Sequence, residues 1–370
     1  MLLDSAPRVW RSQEESHLQF SLALIARGVQ PVLVFSQDLP EELRSWFRSN
    51  GVEVEAINYG KGLFHYYRQL RKVVQKHSVT VAHIAYFNYF DPIAWLARLN
   101  GVRSIVYHER NSGVLRAKGW RKRLLQFRTH LMMAPVTHVI AISDYIRGQL
   151  IDVGVPDERI SRVYSGVDAR RFSPDPTARE RWAKRFAIQP DEAIISSIAY
   201  LRPFKHPEVV VEACALLAKR GVKARLFMAG DGEMQPELGE LGRKQGISER
   251  IHWLGNWSAP QTLLQASDIF VLASVGEAFG NAVVEAMACG VPVVGSRSGV
   301  IKEEVEDGKT GLLATPLDPT SFADAIQRLV QNRRLRREMG QRGVERVRQH
   351  FTTERAVEGI LEVYQSVWSR

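Results

Sequence analysis

Apolar positions in this chain fall into two alternating patterns. Short runs rich in Val, Ile and Leu occur at 31–35 (PVLVF), 52–57 (VEVEAI), 80–85 (TVAHIA), 103–108 (RSIVYH) and 138–143 (HVIAIS). Between them lie longer stretches of helical spacing: ESHLQFSLALIARG, GLFHYYRQLRKVVQKH, PIAWLARLNG and WRKRLLQFRTHLMM. This alternation predicts a parallel sheet wrapped by helices.

The second half repeats the same grammar. Strands are expected at 193–200, 224–230, 251–255, 268–274 and 291–296, with helices between them. Residues 168–190 (DARRFSPDPTARERWAKRFAIQP) are polar, charged and proline-bearing, and read as a linker. The expected architecture is therefore α/β, with two doubly wound, Rossmann-like domains, 1–170 and 171–352. A final helical stretch, 353–370, follows them. Open sheets of this kind take ligands beyond the carboxyl ends of their strands, so functional motifs should stand just after strands.

Composition narrows the class. The 370 residues include two cysteines, Cys214 and Cys289, too few for a disulfide framework and suited to a reducing cytoplasm. The start, MLLDSAPRVW, has no charged leader followed by a long apolar stretch, so no cleavable signal is expected. No run of about 18 apolar residues is present to span a membrane. The net charge is +10, and +8 of it falls within residues 1–170, where 23 Lys and Arg face 15 Asp and Glu. Such a surface attracts anionic lipid, nucleic acid or acidic substrates, and charge alone does not choose among them.

Several segments carry candidate chemistry. In VLASVGEAFGNAVVEAMACG a strand passes through a glycine turn into a helix starting near Asn281, whose unpaired N–H groups suit a phosphate. Glu277 lies in the turn and Glu285 about one turn inside the helix. Carboxylates accept from neighbouring hydroxyls, so a phosphate flanked by two polyols would match. By spacing alone, an ordinary crossover with two solvated glutamates is the simpler reading. In YLRPFKHPEVVVEA, Arg202 and Lys205 follow a strand, either as a grip on a diphosphate or as surface charges. FMAGDGEMQPEL carries a Gly-Asp-Gly turn beginning at Gly230, a motif that most often only reverses the chain. His108 and Glu109 end the strand of SIVYHERNSG, where a histidine can serve in proton transfer, in polar contact or simply in the core. The basic stretches 62–77 and 116–128, with interleaved aromatics, suit either an anionic membrane surface or a solvated helix face above a normal core stripe. Nucleic acid is not expected, because no recognised binding motif accompanies the charge.

In combination these segments resemble the retaining nucleotide-sugar glycosyltransferases of family 4, which have the GT-B architecture. The similarity runs from about residue 12 to the end and rests on IAYLRPFKH, MAGDGE, LGNWS, DIFVLASVGEAFGNAVVEAMACGVPVVGSRSG and EDGKTGLLATPLDPTSFADAI in the family's order. The resemblance implies transfer of a sugar from a nucleoside diphosphate to a glycan or lipid-linked acceptor, with retention at the anomeric carbon and without a metal or other cofactor. It assigns the glutamate pair to Glu277, on the donor sugar, and Glu285, on the ribose. Backbone at Phe279, Gly280 and Asn281, with Gly230 nearby, would meet sugar and diphosphate. Lys205 and Arg202 would neutralise the leaving group, and His108 would stand beside the transferred sugar. The last helix would cross back to the first domain. A surface polysaccharide or lipopolysaccharide pathway, on the cytoplasmic side of a membrane, fits this reading.

The chain departs from the family pattern at several points. Arg11 and Ser12 stand where two loop glycines are usual, Ser165 replaces an asparagine, and Ala199-Tyr200 replaces Gly-Arg. Ala273 replaces a common proline and Ala278 a common glycine. Two other readings share the architecture: a sugar-nucleotide epimerase, and a non-catalytic nucleotide-sugar-binding protein, which the altered first loop favours.

Overall fold

The apolar runs become strands of two separate parallel sheets. The computed structural model describes residues 1–3, 12–58, 62–87, 90–111 and 118–368. Of the positions named above, Arg11 and the first two residues of the 116–128 stretch lie outside the described residues. The chain divides into two units, Met1–Tyr164 with Thr353–Arg370, and Ser165–Thr352.

In the first unit the strands are β1 (Leu2–Leu3), β2 (Val32–Phe35), β3 (Glu53–Ala56), β4 (Val81–Ala85), β5 (Ser104–Glu109), β6 (His138–Ala141) and β7 (Ile160–Arg162). Their order is β3-β2-β1-β4-β5-β6-β7, with every pairing parallel. Helices α1 (Ser12–Ile25), α2 (Glu41–Ser49), α3 (Leu63–Lys76), α4 (Ile93–Leu99), α5 (Trp120–Met133) and α6 (Asp144–Asp152) connect them. Ser12 therefore opens α1. The C-terminal helix Thr353–Trp368 also belongs here. Its Ile360, Leu361, Val363, Tyr364 and Val367 are buried with Phe20, Leu24, Val106 and Ile140.

The second unit holds β8 (Ala193–Ile198), β9 (Ala224–Ala229), β10 (Ile251–Gly255), β11 (Ile269–Leu272), β12 (Val293–Ser296) and β13 (Gly311–Ala314), in the order β10-β9-β8-β11-β12-β13. Around them lie α7 (Ala178–Phe186), α8 (Pro207–Lys219), α9 (Gln235–Lys244), α10 (Pro260–Ala266), α11 (Asn281–Ala288), α12 (Ile301–Glu304), α13 (Pro319–Gln331) and α14 (Arg333–His350), so the C-terminal helix is α15. Strands β8, β11 and β12 are buried almost throughout. That burial is the signature of a parallel sheet covered on both faces.

One reading needs correction. Residues 168–190 are not a free linker, because α7 within them buries Trp182 against Phe227, Ile188, Ile194 and Leu263. Trp182 docks this helix together with Ala178 and Phe186, and mean polarity hides that. The units divide at Tyr164/Ser165, where Val167 N–H donates to Phe351 O at 2.9 Å. Strands β1 and β7 escaped sequence analysis because two and three residues are too few to set a pattern, and β13 because it opens on Gly311 and follows a polar, glycine-bearing turn.

Leu361 on α15 is 5% exposed among core residues of the first unit. Leu361→Ala should therefore cost about 2–4 kcal/mol in chemical denaturation. A cost near zero would mean that the last helix is not part of this core.

Candidate active site

In the second unit β8 is flanked by β9 on one side and β11 on the other. The chain winds outward in both directions from the β8/β11 pair, which makes the crevice beyond it the expected ligand position in an open sheet. The loops after β8, β9 and β11 carry the residues that sequence analysis selected.

Lys205 and Glu277 come together there. Lys205 ends a short 3₁₀ turn (Pro203–Lys205) after β8, Glu277 follows β11, and the lysine Nζ donates to Glu277 Oε1. The side chains are 16% and 9% exposed. A carboxylate this dry needs a partner, and Lys205 is that partner. The loop after β12 backs Glu277: Val300 N–H donates to its carbonyl at 3.4 Å. Gly299, at φ +54°, has no Cβ to strike the Glu277 amide, which would lie 3.1 Å away. Arg202, in the same loop as Lys205, stays on the surface with its guanidinium 5.6 Å from the Tyr200 ring centre.

The Gly-Asp-Gly turn has a structural reason of its own. A Cβ on Gly230, at φ +135°, would fall 1.9 Å from Ala199 O, and one on Gly232 would fall 2.2 Å from Leu201 O. Leu201 N–H donates to Asp231 O at 3.0 Å, and Met234 N–H to Leu201 O at 3.1 Å. Both glycines let the β9 loop close on the loop that carries Arg202 and Lys205.

Helix α11 begins at Asn281, as the sequence suggested, with Asn281 exposed and Glu285 one turn inside. Burial pushes the Glu285 carboxyl up to about 7, and the charge of Arg171 opposes that shift. Phe279 is buried and meets Phe351 edge-on at 6.2 Å. The Gly280 N–H, expected to face a ligand, donates instead to Glu304 Oε1 at 2.8 Å. A Cβ on Gly280 would lie 2.6 Å from Glu304 Oε2, so the need for glycine here arises from Glu304. Sequence analysis missed Glu304, one of several acids in IKEEVEDG with nothing to mark it as buried. Its carboxyl is fully enclosed, and burial, reinforced by the nearby charge of Glu277, raises its pKa well above the usual range. Arg346 holds the segment from α14, donating to Glu304 O at 2.8 Å and Glu303 O at 2.6 Å.

His108 lies in the first unit, at the carboxyl end of β5. It is 2% exposed, its Nδ1 is 3.2 Å from His83 Nε2, and its own Nε2 has no partner among the described residues. Burial, then the charge of Arg110, keep it neutral. The neighbouring Glu109 is also buried. Desolvation pushes its carboxyl to about 7, although Asn111 N–H donates to it at 2.8 Å. Among the described residues no group of three or more His, Cys, Asp or Glu is placed to hold a metal ion.

Two family profiles match this chain: "Glycosyl transferase 4-like domain" over residues 16–166 and "Glycosyl transferases group 1" over residues 178–346. The chain belongs to the GT-B glycosyltransferases of the family 4 type. Among curated relatives, N-acetyl-alpha-D-glucosaminyl L-malate synthase of Bacillus anthracis is 34% identical over 62% of this chain, a match that spans 59% of that protein. Among solved structures, Anabaena Alr3699/HepE in complex with UDP and glucose aligns with TM-score 0.80 at 20% identity over 99% of both chains. The lipopolysaccharide outer core galactosyltransferase WaaB aligns with TM-score 0.74 at 15% identity over 99% of this chain and 98% of that one. At these identities the two structures speak for the GT-B fold alone.

In this chain, Glu285 sets a pH dependence. Its folded pKa is raised to about 7 from 4.5, so the folded state binds the extra proton. Stability is therefore full below the unfolded pKa and falls as pH rises through 7. Glu285→Gln removes that loss, and denaturation should show it gaining up to about 3 kcal/mol on wild type between pH 5 and pH 8. A pH-independent difference would contradict the assignment. Lys205→Met leaves Glu277 dry and unpaired and should cost about 1–3 kcal/mol. Adding Glu277→Gln should recover part of that cost in a double-mutant cycle.

Proposed function

We propose that this chain is a retaining glycosyltransferase that moves a sugar from a nucleoside diphosphate donor to a glycan or lipid-linked acceptor. The single observation that carries the reading is the Lys205–Glu277 pair beyond the β8/β11 switch point, with Glu285 on the helix that starts beside it. The UDP and glucose of Alr3699/HepE support the donor class, and the name of WaaB supports a lipopolysaccharide or surface polysaccharide pathway.

The division of labour follows from charge. The departing diphosphate gains negative charge, so Lys205, Arg202 and the amides opening α11 stabilise the transition state more than the ground state. These groups do without a metal. Glu277 takes sugar hydroxyls and Glu285 the ribose. Donor phosphate draws Lys205 from Glu277 and leaves the carboxylate free to accept from the sugar.

The acceptor side of the reading is a membrane surface. Trp120, Leu124, Phe127 and Leu131 recur every three to four residues along α5 and are 71%, 50%, 66% and 52% exposed, while Thr129 and Met133 form its buried face. Beside its core side α5 thus carries a second, exposed apolar stripe. Helix α3 has a core stripe of Tyr66, Leu70, Val73 and Val74 and exposes Leu63 and Phe64 at its start. Arg121, Lys122, Arg123 and Arg128 lie on α5 beside the apolar stripe, a combination suited to anionic lipid. No helix among the described residues is long and apolar enough to cross a membrane. Residence on the cytoplasmic face is part of the proposal.

A thermal-shift screen against UDP-, GDP-, ADP- and TDP-sugars should find one donor that raises the melting temperature of wild type and fails to do so for Glu285→Ala. Equal shifts in both proteins would remove Glu285 from the donor site. In liposome flotation, wild type should float with anionic and not neutral vesicles, and Trp120→Glu/Phe127→Glu should stay at the bottom. Flotation unaffected by the double substitution would sink the α5 surface.

A further inference from the structure

Three ring side chains run in line through the interior of the first unit. The Tyr364 hydroxyl on α15 lies 2.8 Å from His83 Nδ1 on β4, and His83 Nε2 lies 3.2 Å from His108 Nδ1 on β5. The line ends at His108 Nε2, which is buried and has no partner among the described residues. His83 faces Val106 across the β4/β5 pair, so His108 is its diagonal neighbour on the same face of the sheet. The three residues are 5%, 1% and 2% exposed.

The proton positions follow by elimination. A neutral imidazole carries one N–H and one acceptor nitrogen. Burial is the main cause holding both rings neutral, and the positive charge of Arg110, with His17 and the Met1 amine nearby, adds to it. Burial also keeps the Tyr364 phenol protonated. Among the described residues, His83 Nδ1 is the one acceptor in reach of that hydroxyl. A proton on His83 Nδ1 would strand two groups in the interior, the tyrosine O–H and the lone pair on His108 Nε2, whereas the opposite direction leaves only the His108 Nε2–H without a partner among the described residues, so the second costs less. His83 therefore accepts at Nδ1 and donates from Nε2 to His108 Nδ1. That leaves the His108 proton on Nε2.

We propose that Tyr364, acting through His83, locks His108 in the Nε2–H tautomer, so that His108 offers an N–H donor and no lone pair to an oxygen of the bound sugar. The sugar end of this statement rests on the glycosyltransferase reading. The lock itself does not. His83 and Tyr364 are positioning residues, and His108 stabilises by donating a hydrogen bond instead of accepting a proton.

Long-range ¹H–¹⁵N correlation on the free, histidine-labelled protein at neutral pH tests the lock directly. Wild type should show His108 with a protonated Nε2 and a bare Nδ1. Tyr364→Phe should mix or reverse the tautomers of His83 and His108. A bare Nε2 in wild type overturns the proposal, and this reading stands even if the variant does not fold. Unchanged tautomers in a folded Tyr364→Phe remove Tyr364 from the role. The contact is tested by diphosphate release from UDP-, GDP-, ADP- and TDP-glucose. His108→Gln keeps an N–H donor and should stay within roughly tenfold of wild type, while His108→Phe falls roughly a hundredfold. Equal losses in the two variants overturn the donor contact. A wild type inactive on every donor would instead fell the glycosyltransferase reading and leave the lock to the spectra.

Discussion

Burial of acids at the end of a parallel sheet is the constraint on which this molecule turns. Glu277, Glu285 and Glu304 are each at most 8% exposed, all in segments that follow β11 and β12. A carboxylate taken from water must be paired, or must keep its proton. The chain uses both solutions side by side. Glu277 keeps Lys205, whereas burial drives Glu285 to about 7 and Glu304 well above the carboxylate range. The buried acids thus add little net negative charge, and Lys205 balances the one that stays paired. Glu304 is the structural member of the three. It fixes the Gly280 amide and so the point at which α11 begins.

That arrangement depends on backbones approaching more closely than side chains allow. Gly230 and Gly232 bring the β9 loop onto the carbonyls of Ala199 and Leu201, and Gly299 brings the β12 loop onto Glu277. Each contact fixes a loop that carries a charged residue without engaging the charge itself. The loops are therefore rigid where they meet one another and polar where they face outward. Functional groups held on a stiff scaffold lose less entropy when they bind.

In the first unit the same economy of polar groups takes another form. A histidine pair and a tyrosine, all neutral, are joined in a line across two strands and the last helix, and only His108 Nε2 at its end has no partner among the described residues. Helix α15 thereby does more than fill the core around Phe20 and Val106. It also supplies the hydroxyl from which the direction of that line is set.

Much of this was legible in the residues alone. Apolar runs located ten of the strands, most plainly β8, β11 and β12, because strands buried on both faces must be apolar. The start of α11 at Asn281 and the alternation into two sheets followed from the same patterns. The motif order, from YLRPFKH to EDGKTG, fixed the family. The sequence also marked Glu277 and Lys205, since charge just after a strand is visible in one dimension. It did not show that Lys205 and Glu277 touch, since their loops are 72 residues apart and only the adjacency of β8 to β11 joins them. Nor did it distinguish Glu304 from Glu303 or Glu306, or a docked α7 from a linker, because burial depends on neighbours distant in the chain. His83 and Tyr364 stand 281 positions apart and share no motif. Local pattern determines which elements form, while pairings across the fold decide which polar groups lose water and so which of them hold a charge, a proton or neither.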